Sequence, residues 1–532
     1  MIVSNLSTLA TLEPKLRALL PAQLYVGIWV NPQNELLLEV VGHLQTLRYL
    51  LSDSVPRQVV SNPPLPGKLR YHWEEGTLLF TDLAGFTPLM EANTAQGSEG
   101  AKELLSILSG YFAAMIDVVV KSGGDLLEFT GDALLVQFPQ ESDNGDVGRA
   151  IRAGLRMQRA MGDFAHIQTA QGRLSLAMRV GIHRGRFLAV DLGTPSRMMR
   201  VLLGETVKRA KQAEGAGQVG AVCLTEEVIQ LLGGVFAVEP GKLGYGLVVD
   251  NLSDRRLGEY DITLNKRRRV SSALWFDRSD RALLDKIESL VQELEPLASY
   301  LPQAVLKLVV ENAAQRSIPP TFSPCVVMFV NLSGLSEFID QVQPEQEAAV
   351  VAQCNYLFSV INGMVTAVGG VMKNPTYHLE GSVVVIYWGG IDTHTDDASR
   401  AARVALELRE VVQQSWLNQM AKGAIACQIG IAQGVVFAAE VGEPRGRREF
   451  NVLGDVVNTA ARLMTKAQPG QILFTQTLYE SLRQQSTTST QSFRYEFMGE
   501  IPLKGKRQLF PVYELQSTTP PKGDGSSQLN GH

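Results

Sequence analysis

The sequence predicts an α+β fold in which one ferredoxin-like domain is written twice. Gly334 lies 249 residues after Gly85, Gly381 lies 250 after Gly131, and Gly454 lies 250 after Gly204, a concordance that marks an internal repeat. Within each copy the order is strand, helix, hairpin, helix, strand, which folds as helices on one antiparallel sheet. Each copy also opens on an apolar strand that stops at a glycine: Leu78 to Gly85 in the first, Val327 to Gly334 in the second. At such a glycine the backbone can turn tightly and expose its N–H groups.

Taken in order, residues 1–75 form an accessory segment in which Tyr25 to Val30, Asn31 to Asn34 and Glu35 to Val40 read as strand, turn and strand. Asn62-Pro63-Pro64-Leu65-Pro66-Gly67 breaks that segment. The first domain spans 76–266. In it Leu104, Leu108, Tyr111, Met115 and Val118 recur at helical spacing before the Gly123-Gly124 stop. Glu128 to Leu135 is a hairpin with Gly131-Asp132 at its tip, a second helix runs from about Val147 to Phe164, and a strand follows from Ala177. Lys266-Arg267-Arg268-Arg269 reads as a solvated linker, since no aromatic interleaving supports nucleic-acid binding. Leu283, Ile287, Leu290, Val291, Leu294 and Leu297 make 267–322 a helical connector, interrupted at Pro302. The second domain spans 323–516, and the Pro/Gly/Ser-rich tail 517–532 is expected to be disordered.

Forty-nine basic against 54 acidic residues, a net charge of −5, give no bulk attraction for nucleic acid. Cys223, Cys325, Cys354 and Cys427 lack metal-type spacing and suit a reducing compartment. No uninterrupted apolar run approaches the ~18 residues of a membrane helix, and the start lacks the basic residues of a signal peptide. A cytoplasmic protein is expected.

Asp82 and Asp132 bring two carboxylates to the ends of neighbouring strands, a site for two hard divalent ions, Mg2+ or Mn2+. The second copy has Asn331 and Ser382 at those positions, and Gln428 where the first has Arg179. Conversely it carries Asn458 and Arg462, four apart on one helix face, where the first has Lys208 and Gln212. An amide and a guanidinium so placed suit a sugar oxygen and a phosphate. Each copy keeps a different part of a phosphate site, as expected if both build one composite pocket at a pseudo-twofold interface.

Phe80-Thr81-Asp82, Thr130 to Leu135 and Ile429 to Gly434 resemble the class III nucleotidyl cyclase catalytic domain in tandem form, nearest to the soluble, bicarbonate-responsive type of adenylyl cyclase. The resemblance implies an intramolecular pseudo-heterodimer that converts ATP to 3′,5′-cyclic AMP and pyrophosphate. By it, Asp82 and Asp132 hold the ions, and the backbone of Leu83, Ala84, Gly85 and Phe86 supports the first ion and the triphosphate. Arg179 and Lys504 contact phosphate, Asn458 orients the ribose, and Arg462 stabilises charge at the α-phosphate. In the family a lysine and an aspartate or threonine of the second half read the purine. Here His378 and Glu380 lie near Gly381 instead of a lysine, while Asn451 and Val452 stand at the other position, so GTP stays open beside ATP. A degenerate second pocket near Asn331, Ser382, Lys208 and Lys211 is expected to take a small regulator. Bicarbonate itself is disfavoured by Glu128, which stands at that pocket's lysine position, and residues 1–75 are expected to meet a protein partner. The competing readings are a guanylate cyclase and a catalytically silent nucleotide-binding signalling module.

Overall fold

The computed structural model describes residues 2–169, 172–258, 277–378, 381–443, 446–485, 492–503 and 509–519. The basic run 266–269, Glu380 and Lys504 lie outside them.

The accessory segment is helical: α1 (Ile2–Leu19), α2 (Ala22–Val30), α3 (Asn34–Ser54) and α4 (Arg57–Ser61). The strand-turn-strand reading is thereby corrected. Leu37, Val40, Val41, Leu44, Leu47 and Leu51 recur every three or four residues, and all are buried. That period outweighs the strand preference of short runs such as Tyr25–Val30. Asn31-Pro32-Gln33 does interrupt the chain, between two helices rather than two strands.

The first sheet-and-helix unit runs through β1 (Arg70–Ala84), α5 (Phe86–Thr94), α6 (Gly97–Lys121), β2 (Asp125–Thr130), β3 (Ala133–Pro139), α7 (Gly145–Ala160), β4 (Ala177–Thr194), β5 (Arg197–Leu203), α8 (Glu205–Ala216), β6 (Val222–Thr225), β7 (Val238–Pro240) and β8 (Tyr245–Val248). Its sheet order is β2-β3-β1-β4-β6-β8-β7, with β5 paired to β4. Neighbours are antiparallel except β4 and β6. Two helices, α9 (Asp280–Ala298) and α10 (Gln303–Glu311), lead to the second unit.

That unit repeats the first with β9 (Thr321–Ser333), α11 (Leu335–Asp340), α12 (Glu347–Ala367), β10 (Val371–Met372), β11 (Thr376–His378), β12 (Gly381–Gly389), α13 (Asp397–Gln414), β13 (Ala426–Gly442), β14 (Arg448–Leu453), α14 (Asp455–Lys466), β15 (Ile472–Thr475), α15 (Gln476–Gln485), β16 (Ser492–Ile501) and β17 (Phe510–Thr519). The order is β10-β12-β9-β13-β15-β17-β16, with β11 on β12 and β14 on β13. The α+β fold class expected from the repeat is what the chain adopts. The tail expected to be disordered is corrected at its start, where Ser517, Thr518 and Thr519 pair with Arg494, Phe493 and Ser492 and extend β17; residues 520–532 lie outside the described residues.

Gly181 and Gly430 show why the repeat is faithful. A Cβ on Gly181 would stand 2.0 Å from Glu214 N, and one on Gly430 would stand 2.2 Å from Met464 N. Helices α8 and α14 therefore lie against bare strand backbone at equivalent places, which fixes how each helix presents its residues to the interface.

Two helices, Gly97–Lys121 and Pro344–Ala367, are long and apolar enough to cross a membrane by length and composition. Each packs one face on its own sheet: Leu104, Leu108 and Met115 against Leu79 and Leu134, and Val351, Leu357 and Ile361 against Met328 and Ile386. A separate core joins α3 and α9 to the second sheet, placing Leu44, Leu47, Ile287 and Leu290 with Val327, Phe329, Val385 and Ala438.

Candidate active site

β1 carries Asp82 to the interface opposite Arg179 of β4. The chain then turns at Gly85, whose φ of 92° lies in the left-handed region. A Cβ there would stand 2.3 Å from Ser175 O, so the turn requires glycine. Helix α5 starts at once, and the N–H groups of its first turn have no intrahelical acceptor. Gly131, at φ 72°, turns β2 into β3 and brings Asp132 to the same cavity as Asp82. Burial, and then the neighbouring Asp82 carboxylate, push Asp132 up to about 7. Two carboxylates competing for one space are relieved by cations.

A chain of ion pairs backs this wall. Arg179 pairs with Asp82 and, at 3.0 Å, with Glu214; Lys211 pairs with Glu214 at 2.8 Å. The Lys211 ammonium lies 4.9 Å from the Phe80 ring centroid and lines the cavity with Asp82 and Asp132. This corrects the placing of Lys211 in the degenerate pocket. It lies on the face of α8 that is turned to the sheet, one turn before Glu214, whereas Lys208 points across the interface to pair with Glu337.

The second unit supplies the facing wall. Asn451 and Val452 of β14, and Val457, Asn458 and Ala461 of α14, line the same cavity. Lys373 joins them, although sequence reasoning missed it. Its Nζ donates to Asn451 Oδ1 and, at 3.2 Å, to Phe129 O, and it pairs with Glu449 at 2.9 Å. An ammonium only donates, so the Asn451 carbonyl faces Lys373 and its NH2 makes no bond to that ammonium. That Nδ2 is buried and has no partner among the described residues.

Phe86 lines the cavity; Leu83 and Ala84 are the last residues of β1. Arg179 sits behind Asp82 on the ion-pair chain. Arg462 is half-buried one turn beyond Asn458 on α14 and is not brought to the cavity wall. His378 belongs to β11. Glu128 and Thr376 line the cavity beside Lys373, two further residues that the sequence did not single out for it. Burial raises Glu128 to about 8, with the Glu449 charge adding to the shift.

At the pseudo-symmetric position Asn331 faces Gln428 in the strand register and donates to its Oε1 at 2.6 Å. Tyr377 is buried there and hydrogen-bonds with Ser382, Ser336 and, at 3.1 Å, the N–H of Gly204. Lys208 is spent on Glu337. Side chains close on one another where a regulator was expected.

Two copies of one domain thus each contribute polar residues to the same cavity. The model of the adenylate and guanylate cyclase catalytic domain matches residues 70–243 and 319–517. The chain belongs to this cyclase family. Among curated relatives of this cyclase-family chain, adenylate cyclase type 10 of Oryctolagus cuniculus is 24% identical over 420 residues, covering 77% of this chain and 25% of the relative. That of Homo sapiens is 22% identical over 453 residues, 84% of this chain and 26% of the relative. The chain therefore spans about a quarter of the length of these relatives. An adenylate cyclase of Anabaena cylindrica is 30% identical over 162 residues, 29% of this chain and 30% of the relative. A solved class III adenylyl cyclase-like ATP-binding protein from Pseudomonas aeruginosa has the same fold at a TM-score of 0.52 and 16% identity, covering 83% of this chain and 92% of that one.

Proposed function

We propose that this chain is an adenylate cyclase with one composite site, closing ATP to 3′,5′-cyclic AMP with release of pyrophosphate. The observation that carries the reading is the single cavity lined by Asp82 and Asp132 from one unit and by Lys373, Asn451 and Asn458 from the other.

The donor set fits divalent ions. Asp82 and Asp132 are hard carboxylates sharing one cavity, and among the described residues no three His, Cys, Asp or Glu side chains are grouped so as to hold a metal ion by themselves. This is the pattern of Mg2+, which takes one or two carboxylates and completes its shell with water and phosphate oxygens. When bound, the ions supply charge neutralisation at the 3′-oxygen and at the leaving pyrophosphate. Arg179, held between Asp82 and Glu214, keeps the Asp82 carboxylate aimed. The first turn of α5, after Gly85, offers N–H groups to a phosphate oxygen.

Purine choice rests on the Asn451 amide. With its carbonyl held by Lys373, it presents a donor, which pairs with the acceptor N1 of adenine and opposes the N–H at N1 of guanine. Asn458 faces the same space from α14 and is suited to a ribose oxygen. Arg462, one turn on, reaches the phosphate end by swinging its side chain inward, and Lys504 of the Leu503-Lys504-Gly505-Lys506 stretch keeps its proposed phosphate role. The test is direct: purified protein with ATP or GTP and Mg2+ or Mn2+, the products separated by chromatography. Formation of cyclic AMP from ATP in preference to cyclic GMP from GTP is expected. Nucleotide binding without cyclic product would leave the silent-module reading instead.

A further inference from the structure

Helix α14 has a second face. While Asn458 and Ala461 look into the interface cavity, Asp455 and Thr459 look away from it, into a separate cavity of about 420 Å³ between α14, the end of β15, the start of α15 and the start of β17. The first unit bridges the equivalent place with an ion pair. Arg209, the repeat partner of Thr459, pairs at 2.6 Å with Glu227, the repeat partner of Thr477, and this ion pair spans the same gap. Two threonines in place of an arginine and a glutamate leave a space walled by Phe510 and Pro511.

Two polar side-chain atoms in its wall are unsatisfied, while Glu480 accepts from Gln476 at 2.8 Å and Thr477 donates to Gln433 O at 3.1 Å. Thr459 is 3% exposed, and its hydroxyl has no hydrogen-bond partner among the described residues. The side-chain carbonyl of Gln433 is buried without a partner as well. Buried polar atoms of this kind are ordinarily bonded. Asp455 and Glu480 add carboxylates to the lining, and no lysine or arginine among the described residues lines it. Acceptors and negative charge over an aromatic wall select a ligand with a flat apolar body and a cationic donor group.

We propose that this cavity is a binding site for a small organic cation of the aryl- or alkylamine class, and that its occupant steadies α14. The same helix holds Asn458 in the interface cavity, so the site is placed to act on the cyclase centre as an effector site without touching it. The binding claim does not depend on the cyclase reading.

Benzamidine is a suitable probe, with benzyl alcohol as the neutral and benzoate as the anionic control, followed on the full chain by ligand-observed NMR. A dissociation constant of about 1 mM or tighter is expected for benzamidine, with benzyl alcohol weaker and benzoate not bound. Rebuilding the first unit's ion pair with Thr459→Arg and Thr477→Glu should fill the cavity and weaken benzamidine by about tenfold or more. Gln433→Leu, which keeps the volume and removes the carbonyl, should weaken it in the same direction; it carries the test if the double variant does not fold. Equal binding of benzoate, undiminished binding by the folded variants, or no binding of benzamidine would each overturn the site.

Discussion

Asn331 donates its side-chain N–H to Gln428 across two strands, at the register position where Asp82 faces Arg179 in the other unit. A neutral amide pair has replaced an ion pair in an otherwise faithful copy. The replacement extends further: the repeat partners of Lys211 and Glu214 are Ala461 and Met464. All four charged groups of the ion-pair chain are thus neutral in the second unit. The second unit differs from the first at every member of this chain together, and the proposed composite centre draws its carboxylates from the first unit alone.

Asp82→Asn and Asp132→Asn should each abolish cyclase turnover and leave the fold intact. Arg179 keeps Glu214 as a partner when Asp82 loses its charge, so no isolated cation is left buried. Turnover by chromatography, Mn2+ binding by calorimetry and thermal melting check this. Turnover near that of the unaltered chain in either variant would refute the two-ion assignment.

Asn331→Asp should destabilise the protein without creating a second site. Asn331 is fully buried, and Gln428 offers an aspartate no charge. A buried unpaired carboxylate costs about 3 kcal/mol or more. The melting temperature at pH 7.5 should fall by several degrees and recover partly in acid, where the carboxyl is neutral. An unchanged melting temperature would show that the degenerate centre still accommodates charge.

Lys373→Ala should raise KM for ATP by about tenfold and lower the preference for ATP over GTP, because the Asn451 amide is then free to turn over. Unchanged selectivity would remove Lys373 and Asn451 from base recognition. This pair also shows where the sequence stopped being legible. Asp82, Asp132 and Asn458 could be located because the repeat keeps constant offsets through the glycines that bound them. Lys373 could not, since Gly381 lies 11 positions after Gly370 where Gly131 lies seven after Gly124. The four extra residues fall between Met372 and Gly381, a stretch that includes the Lys373-Asn374-Pro375 link between two short strands. Counting back from Gly381 therefore lands on His378, while the strand register puts Met372 opposite Ile386 as Leu126 lies opposite Val136. Counting on from Gly370 by the four residues that lead from Gly124 to Glu128 lands on Asn374, one past the lysine, because β2 has a register shift between Leu126 and Glu128. Lys211 was misplaced for a different reason: Lys208 and Lys211 are neighbours on one helix, and only the contact with β4 decides which turns inward.

Glu128 makes stability pH-dependent. Its folded-state carboxyl is raised to about 8 from an ordinary value of 4.5. An acid so raised contributes its stabilising term fully below its unfolded value and loses it as pH climbs toward the folded value. The protein should therefore become less stable between pH 4.5 and about 8, and Glu128→Gln should flatten that slope. Denaturant melts at several pH values measure it. An unchanged slope in the variant would mean that Glu128 is ionised in the folded chain.

The last expectation concerns the chain between the two units. The accessory helices are distant in sequence from the second unit, yet share its core: Leu44, Leu47 and Leu51 of α3 pack with Ile287 and Leu290 of α9 and with Phe329 and Val385 of the second sheet. Ion pairs Arg48–Glu293 and Arg448–Asp53 tie the same surfaces. The turn after α9 is bound to the first unit as well, because Met198 N–H donates to Ser299 O at 2.6 Å and Tyr300 donates to Asp191 at 2.9 Å. Cutting the backbone between Lys266 and Ser271 breaks none of these contacts. A protease site inserted there should yield two fragments that co-elute on size exclusion, melt as one unit and keep turnover. Each fragment expressed alone should be inactive, because Asp82 and Asp132 then lack Lys373, Asn451 and Asn458, and the first fragment also exposes the apolar face of α3. Mixing separately refolded fragments should restore activity in a concentration-dependent way. Cyclase activity from either fragment by itself would refute the composite centre, and dissociation of the cut chain under native conditions would show that the accessory helices belong to the first unit alone.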